Sequence, residues 1–128
     1  MGPLSLLAVG LGAAMGAWMR WGLGMFLNPM FPTLPMGTLA SNLVGGYLVG
    51  LAVAFFGHHT GLSPALRLFI ITGFLGSLTT FSTFSAEAVG LLNRAEYGWA
   101  LLHMASHLAG SLLLTVLGML TVKMILKT

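Results

Sequence analysis

Residues 97–122 read YGWALLHMASHLAGSLLLTVLGMLTV, 26 consecutive positions without an Asp, Glu, Lys or Arg. A helix rises 1.5 Å per residue, so about 20 apolar residues cross the roughly 30 Å hydrocarbon core of a bilayer. This stretch is long enough to cross. Residues 1–19, 21–66 and 68–86 are equally free of those four residue types. The 128-residue chain is 57% hydrophobic and 5% charged, against about 25% charged in a soluble domain. Its seven charges, Arg20, Arg67, Glu87, Arg94, Glu96, Lys123 and Lys127, punctuate the apolar stretches and leave room for four crossings. That pattern excludes a soluble enzyme, a nucleic-acid module and a disordered tail. Membrane β-barrels need segments of about ten residues with alternating polarity, and the chain has none. The expected fold class is an all-α membrane protein of four transmembrane helices in one integral membrane domain, 1–128.

The breaks between helices follow from proline and glycine. Pro3 is tolerated at a first helical position, so the first span is expected over 3–27. Asn28-Pro29 and Pro32-Thr33-Leu34-Pro35 end it, because proline disfavours helix at its predecessor. The second span is expected over 36–56 and is closed by Gly57-His58-His59-Thr60-Gly61. Ser63-Pro64 reads as an N-cap followed by a first-turn proline. It opens a long third stretch over 64–92, and a fourth span is expected over 99–125. Met1 to Ser5 lacks the basic start of a signal peptide, so the first segment is expected to be retained.

The net charge of +3 comes from basic residues scattered singly, without the cluster that recognises lipid headgroups or nucleic acid. With the N-terminus inside, Arg67, Lys123 and Lys127 lie inside and Arg20 and Arg94 outside. Lys/Arg excess sets orientation, and three against two barely biases it. The expectation is dual topology, with two copies antiparallel. The chain has no cysteine, which removes thiol chemistry and thiolate metal sites.

The third stretch concentrates the chemistry. Residues 73–85, GFLGSLTTFSTFS, hold two glycines and six hydroxyl residues. Glycine costs about 1 kcal/mol in a helix interior, and Ser and Thr bond the backbone in non-helical shapes. Two readings stand: a helix broken mid-membrane, or an intact helix whose hydroxyls bond back to its own carbonyls. A break frees carbonyls and amides for ions where protein or water covers them. Phe81 and Phe84 share a helix face near Thr80 and Ser77. Their ring edges are electropositive and suit a small anion, although packing alone also explains them.

Thr38 and Asn42 share a face of the second span, and Asn42 can donate two hydrogen bonds. His103, His107, Ser111 and Thr115 form one stripe on the fourth, close to Ser106, so that line faces protein or a wet path. Two histidines four apart can also ligate a metal, but no acidic or thiol partner lies near them in sequence. Gly12, Gly16 and Gly24 flank Arg20 at four-residue spacing, and Gly46 and Gly50 repeat the spacing in the second span. Close helix packing explains both sets. Arg20 is placed to snorkel or to cap carbonyls. Glu87 lies about 8 Å from the end of its span, in a vestibule, paired with Arg20, or neutral.

Three of these segments resemble the Fluc (CrcB-type) fluoride channels, small bacterial membrane proteins that export fluoride passively. Residues 73–84, GFLGSLTTFSTF, are similar to that family's third-helix signature. SNLVG at 41–45 resembles its Asn-containing motif in the second helix, and GAWMRW at 16–21 its weaker Gly…Arg motif. The resemblance covers nearly the whole chain. It implies an antiparallel homodimer in the inner membrane with two fluoride pores. Phe81 and Phe84 would present ring edges to fluoride, with Asn42, Ser111 and Thr115 lining the path. Thr80, Ser82 and Thr83 would complete the hydroxyl-rich segment, and Arg20 and Glu87 would lie toward a vestibule. It further implies a structural sodium ion on the two-fold axis, held by backbone carbonyls of Gly76 and Thr79.

Ser77 and His103 depart from the family pattern, which favours a small residue at the first and a hydroxyl-bearing aromatic at the second. The implied partners are fluoride, lipid and a second copy of the chain, with no nucleic acid and no organic cofactor. The competing function is a small dual-topology multidrug or cation transporter. That class needs a glutamate in the middle of its first helix, where this chain has only Arg20.

Overall fold

The structure, a computed structural model, describes residues 2–127. Helix α1 spans Pro3–Leu27, with proline in its first turn, and a single 3-10 turn at Asn28–Met30 follows. Helix α2 spans Met36–His58. The third hydrophobic stretch is composite. A short α3 (Pro64–Arg67) is capped by Ser63, whose hydroxyl accepts from the Ala65 amide at 3.2 Å. It runs into a π-helical segment, Leu68–Leu75, and then into α4 (Gly76–Leu78). Thr79 and Thr80 are extended, and α5 (Phe81–Asn93) resumes the path. Helix α6 spans Tyr97–Leu126.

The turn into α6 is tight. Glu96 N–H donates to Leu91 O and Ala95 N–H to Leu92 O, the paired bonds that close a helix on a left-handed residue. That residue is Ala95, at φ 59°.

Two seams hold the helices together, and both are made of glycine. A Cβ on Gly16 would stand 2.1 Å from Phe74 O and 2.9 Å from Leu78 N, so α1 rests its backbone directly on the third stretch. A Cβ on Gly50 would stand 2.2 Å from Thr115 O, and one on Gly118 2.3 Å from Tyr47 O, so α2 and α6 meet the same way. Small residues permit this approach, and the gain is dispersion, since helix and lipid are equally apolar. The packing reading therefore holds at these positions. Gly22, which lies outside those sets, has open space around it.

The distribution of side chains is the reverse of a soluble protein's. Leu4, Leu6, Leu101, Leu112 and Leu113 are exposed, while Thr38, Ser41, His103 and His107 are buried beside a small apolar core of Ala52, Phe56, Leu75 and Leu78. An apolar surface this extensive calls for a non-aqueous surround. Among the described residues, four helical stretches are long and apolar enough to cross a membrane: Pro3–Met30, Met36–His58, Pro64–Asn93 and Tyr97–Leu126.

The seams predict a contrast within one helix. Gly16→Ala forces α1 off the third stretch and lowers stability by about 1–3 kcal/mol. Gly22→Ala is neutral or stabilises by up to about 1 kcal/mol through helix propensity. Reversible unfolding in mixed micelles measures both.

Candidate functional site

The extended pair Thr79–Thr80 organises the site. In a continuous helix Thr80 N–H would donate to Gly76 O, and Thr83 N–H to Thr79 O. Instead Thr80 N–H donates to Asn42 Oδ1 at 2.8 Å, and Thr83 N–H to Thr80 Oγ1 at 3.1 Å. Thr80 is thus both the interruption and the N-cap of α5. Asn42, on α2, grips both sides of this residue: its Nδ2 also donates to Thr80 O at 3.0 Å. The reciprocal pair fixes which end of the amide is nitrogen. The second Nδ2 hydrogen goes to His107 Nδ1 at 2.9 Å. His107 Nδ1 therefore accepts, and in the neutral ring the proton sits on Nε2.

An open cleft of about 440 Å³ lies beside this clamp. It gathers Asn42 from α2, Gly76, Thr79, Thr80, Phe81 and Phe84 from the third stretch, and His107, Ser111 and Thr115 from α6. The two rings stand 5.7 Å apart, tilted by 47°. Phe84 packs on His103 and His107, with centroids at 5.2 and 4.6 Å. Phe81 is 80% exposed.

The other expected residues lie outside this cleft. Arg20 and Thr83 line a separate cavity of about 320 Å³ that Thr80 also borders. Arg20 caps a carbonyl, its Nε donating to Ser77 O at 3.0 Å. It does not pair with Glu87, whose Oε2 accepts from Thr38 Oγ1 at 2.6 Å. Ser82 Oγ stands 3.4 Å from Thr80 Oγ1 on the exposed side. His103 is fully enclosed behind Phe84, its Nε2 3.4 Å from Glu87 Oε1.

The hydroxyls divide between the two readings open at the outset. Ser85 and Ser106 donate back to their own helices, at 2.8 and 2.6 Å. Thr115 shares its proton between Gly46 O and Ser111 O, both at 2.9 Å.

A description of the CrcB-like protein, Camphor Resistance (CrcB) family matches residues 7–119. This chain belongs to that family. A relative from Nitrosospira multiformis is 62% identical over 96% of this chain and 96% of its own length. One from Cupriavidus pinatubonensis is 62% identical over 98% of this chain and 99% of its own. A third, from Pseudomonas putida, is 60% identical over 91% of this chain and 92% of its own. All three carry the name fluoride-specific ion channel FluC.

Two features of this CrcB-like chain escape its sequence. The bond from Asn42 to His107 joins residues 65 apart, and no local pattern signals it. The carboxylate partner that the histidine pair lacks in sequence arrives across helices: one ligand atom each from Glu87, His103 and His107 lies within 4.8 Å of the others.

The clamp makes a local prediction. Asn42→Asp keeps an acceptor for Thr80 N–H but sets a carboxylate oxygen against Thr80 O and His107 Nδ1. The cost is about 1–3 kcal/mol for the unmade buried bonds. Hydrogen–deuterium exchange over residues 76–84 should accelerate while exchange in the part of α6 after Gly110, residues 111–122, stays unchanged.

Proposed function

We propose that this protein is a fluoride-selective channel, not an enzyme, through which fluoride leaves the cytoplasm passively and so spares the cell its toxicity. The name shared by the relatives supports this reading. The observation that carries it is the cleft, where an amide, hydroxyls and two phenylalanine rings converge without a fixed positive charge. Fluoride is small and strongly hydrated. A selective path must replace its water with donors at close range, yet release it. Thr80 and Ser111 would meet the ion with their hydroxyls, Asn42 and Thr115 would line the path while their own protons hold Thr80 O, His107 Nδ1, Gly46 O and Ser111 O, and Phe81 and Phe84 would offer ring edges. Ser82 and Thr83 extend the hydroxyl surface. A guanidinium in the cleft would trap an anion; Arg20 instead spends its Nε proton on Ser77 O.

The assembly proposed is an antiparallel, dual-topology homodimer with two pores, each chain being one multi-pass domain, 1–128, in a bacterial inner membrane. The exposed Phe81 ring supports it, because an aromatic left uncovered at the edge of the cleft suits a path shared with a second copy. In that assembly the interruption at Thr79–Thr80 lies at mid-membrane depth. The carbonyls of Gly76 and Thr79 fit a structural sodium ion: the amides that would cap them in a helix point elsewhere, and both residues border the cleft. Bound there, sodium would supply charge to join the two copies. Reporters fused to the C-terminus, active on one side only, should report both orientations in cells; one uniform orientation contradicts dual topology.

The function is tested with purified protein in fluoride-loaded liposomes and a fluoride electrode. Efflux should proceed without a pH gradient, and chloride should not follow. Phe81→Ile or Phe84→Ile should lower the initial rate by about tenfold or more, as loss of ring-edge stabilisation requires. Efflux at the wild-type rate in both variants contradicts the ring-edge path.

A further inference from the structure

Behind Phe84, Glu87 Oε1 and His103 Nε2 face each other as a buried pair, and His107 Nε2 is buried beside them without a hydrogen-bond partner. Buried donors and acceptors are almost always satisfied, so the unpartnered His107 Nε2 next to this pair calls for a ligand. Both histidines are buried, and their rings stand 4.5 Å apart between centroids. Glu87 Oε1 and His103 Nε2 are 3.4 Å apart. That is about the edge of a tetrahedron around an ion whose ligand bonds are about 2.0–2.2 Å. The remaining carboxylate oxygen is oriented by Thr38, as supporting hydrogen bonds orient metal-binding carboxylates.

We propose that Glu87, His103 and His107 form a binding site for a first-row divalent transition cation of the Zn²⁺ type. Two imidazoles and one carboxylate suit such ions, whereas Mg²⁺ and Ca²⁺ prefer all-oxygen ligands. Three protein ligands leave a fourth position for water. His107 borders the cleft, which gives the ion an entrance.

Binding has a consequence for Asn42. Ligation through His107 Nε2 requires the ring to exchange its proton with solvent and carry one on Nδ1 instead, where the Asn42 amide now donates. The cation and the Asn42–His107 hydrogen bond exclude each other. The bound ion thereby loosens the side chain that holds Thr80 and sets positive charge beside Phe84. It acts as an inhibitor of permeation. The inhibition rests on the channel reading; the binding rests on the cluster alone.

The test titrates untagged protein in detergent with Co²⁺, whose visible absorption reports nitrogen and oxygen ligands, and then displaces it with Zn²⁺. One Co²⁺ per chain is expected. Glu87→Gln and His107→Gln should each weaken binding by about 100-fold with an unchanged size-exclusion profile. The His58→Ala/His59→Ala double variant, altered only at the C-terminal end of α2 and its cap, should retain it. Absence of stoichiometric binding, or its survival in the His103→Gln/His107→Gln double variant, overturns the site. In liposomes, Zn²⁺ should slow fluoride efflux and a chelator should restore it. Efflux indifferent to saturating Zn²⁺ overturns the inhibition, whereas a protein that binds Zn²⁺ but passes no fluoride at all contradicts the channel reading instead.

Discussion

One side chain holds the third stretch open. Asn42 replaces, for Thr80, both of the partners a continuous helix would supply: its oxygen takes the amide proton and its nitrogen serves the carbonyl. Without that exchange an extended residue between two helices would leave two backbone groups unpaired, at about 1–3 kcal/mol for each buried group. With it, the chain can stop, turn two residues into extended backbone and start again under the cap of Thr80 Oγ1. The same amide reaches His107, so α2, the third stretch and α6 meet at one residue. Asn42, Thr80 and His107, three of the polar groups of the cleft, take their positions from this junction.

The glycine seams make the junction reachable. Gly46 and Gly50 bring α2 onto Ser111 and Thr115 of α6, which sets Asn42 within a hydrogen bond of His107. Gly12 and Gly16 seat α1 on the π-helical segment and α4, and from that helix Arg20 reaches Ser77 O. A π-helical turn adds a residue to the helical circuit, and this one, Leu68–Leu75, delivers the chain to Gly76 just before the interruption. Packing by dispersion and satisfaction of backbone polarity are thus one problem here. The first places the helices closely enough for the second to be solved by single side chains.

The helices were legible in the sequence because charge and proline mark their ends, and both act locally. Ser63-Pro64 starts a helix as its chemistry requires. The fate of the hydroxyl-rich segment was not legible. Thr79 and Ser85 bond back to carbonyls one turn behind them, Leu75 O and Phe81 O, while Thr80 caps a new helix. Composition is the same in both cases; the difference is Asn42, 38 residues away. Arg20 and Glu87 were open to a mutual pairing, yet each finds a nearer partner, Ser77 O and Thr38. The Glu87–His103 approach depends on how α5 lies against α6, which no spacing within either helix encodes.

The account turns on the claim that the Asn42 clamp shapes the fluoride path. The most direct measurement is the initial rate of fluoride efflux from liposomes holding Asn42→Ala protein, at matched protein content and with a folded size-exclusion profile. The clamp predicts a rate at least about tenfold below that of the unaltered protein. An unaltered rate, with Thr80 no longer held from α2, would contradict it.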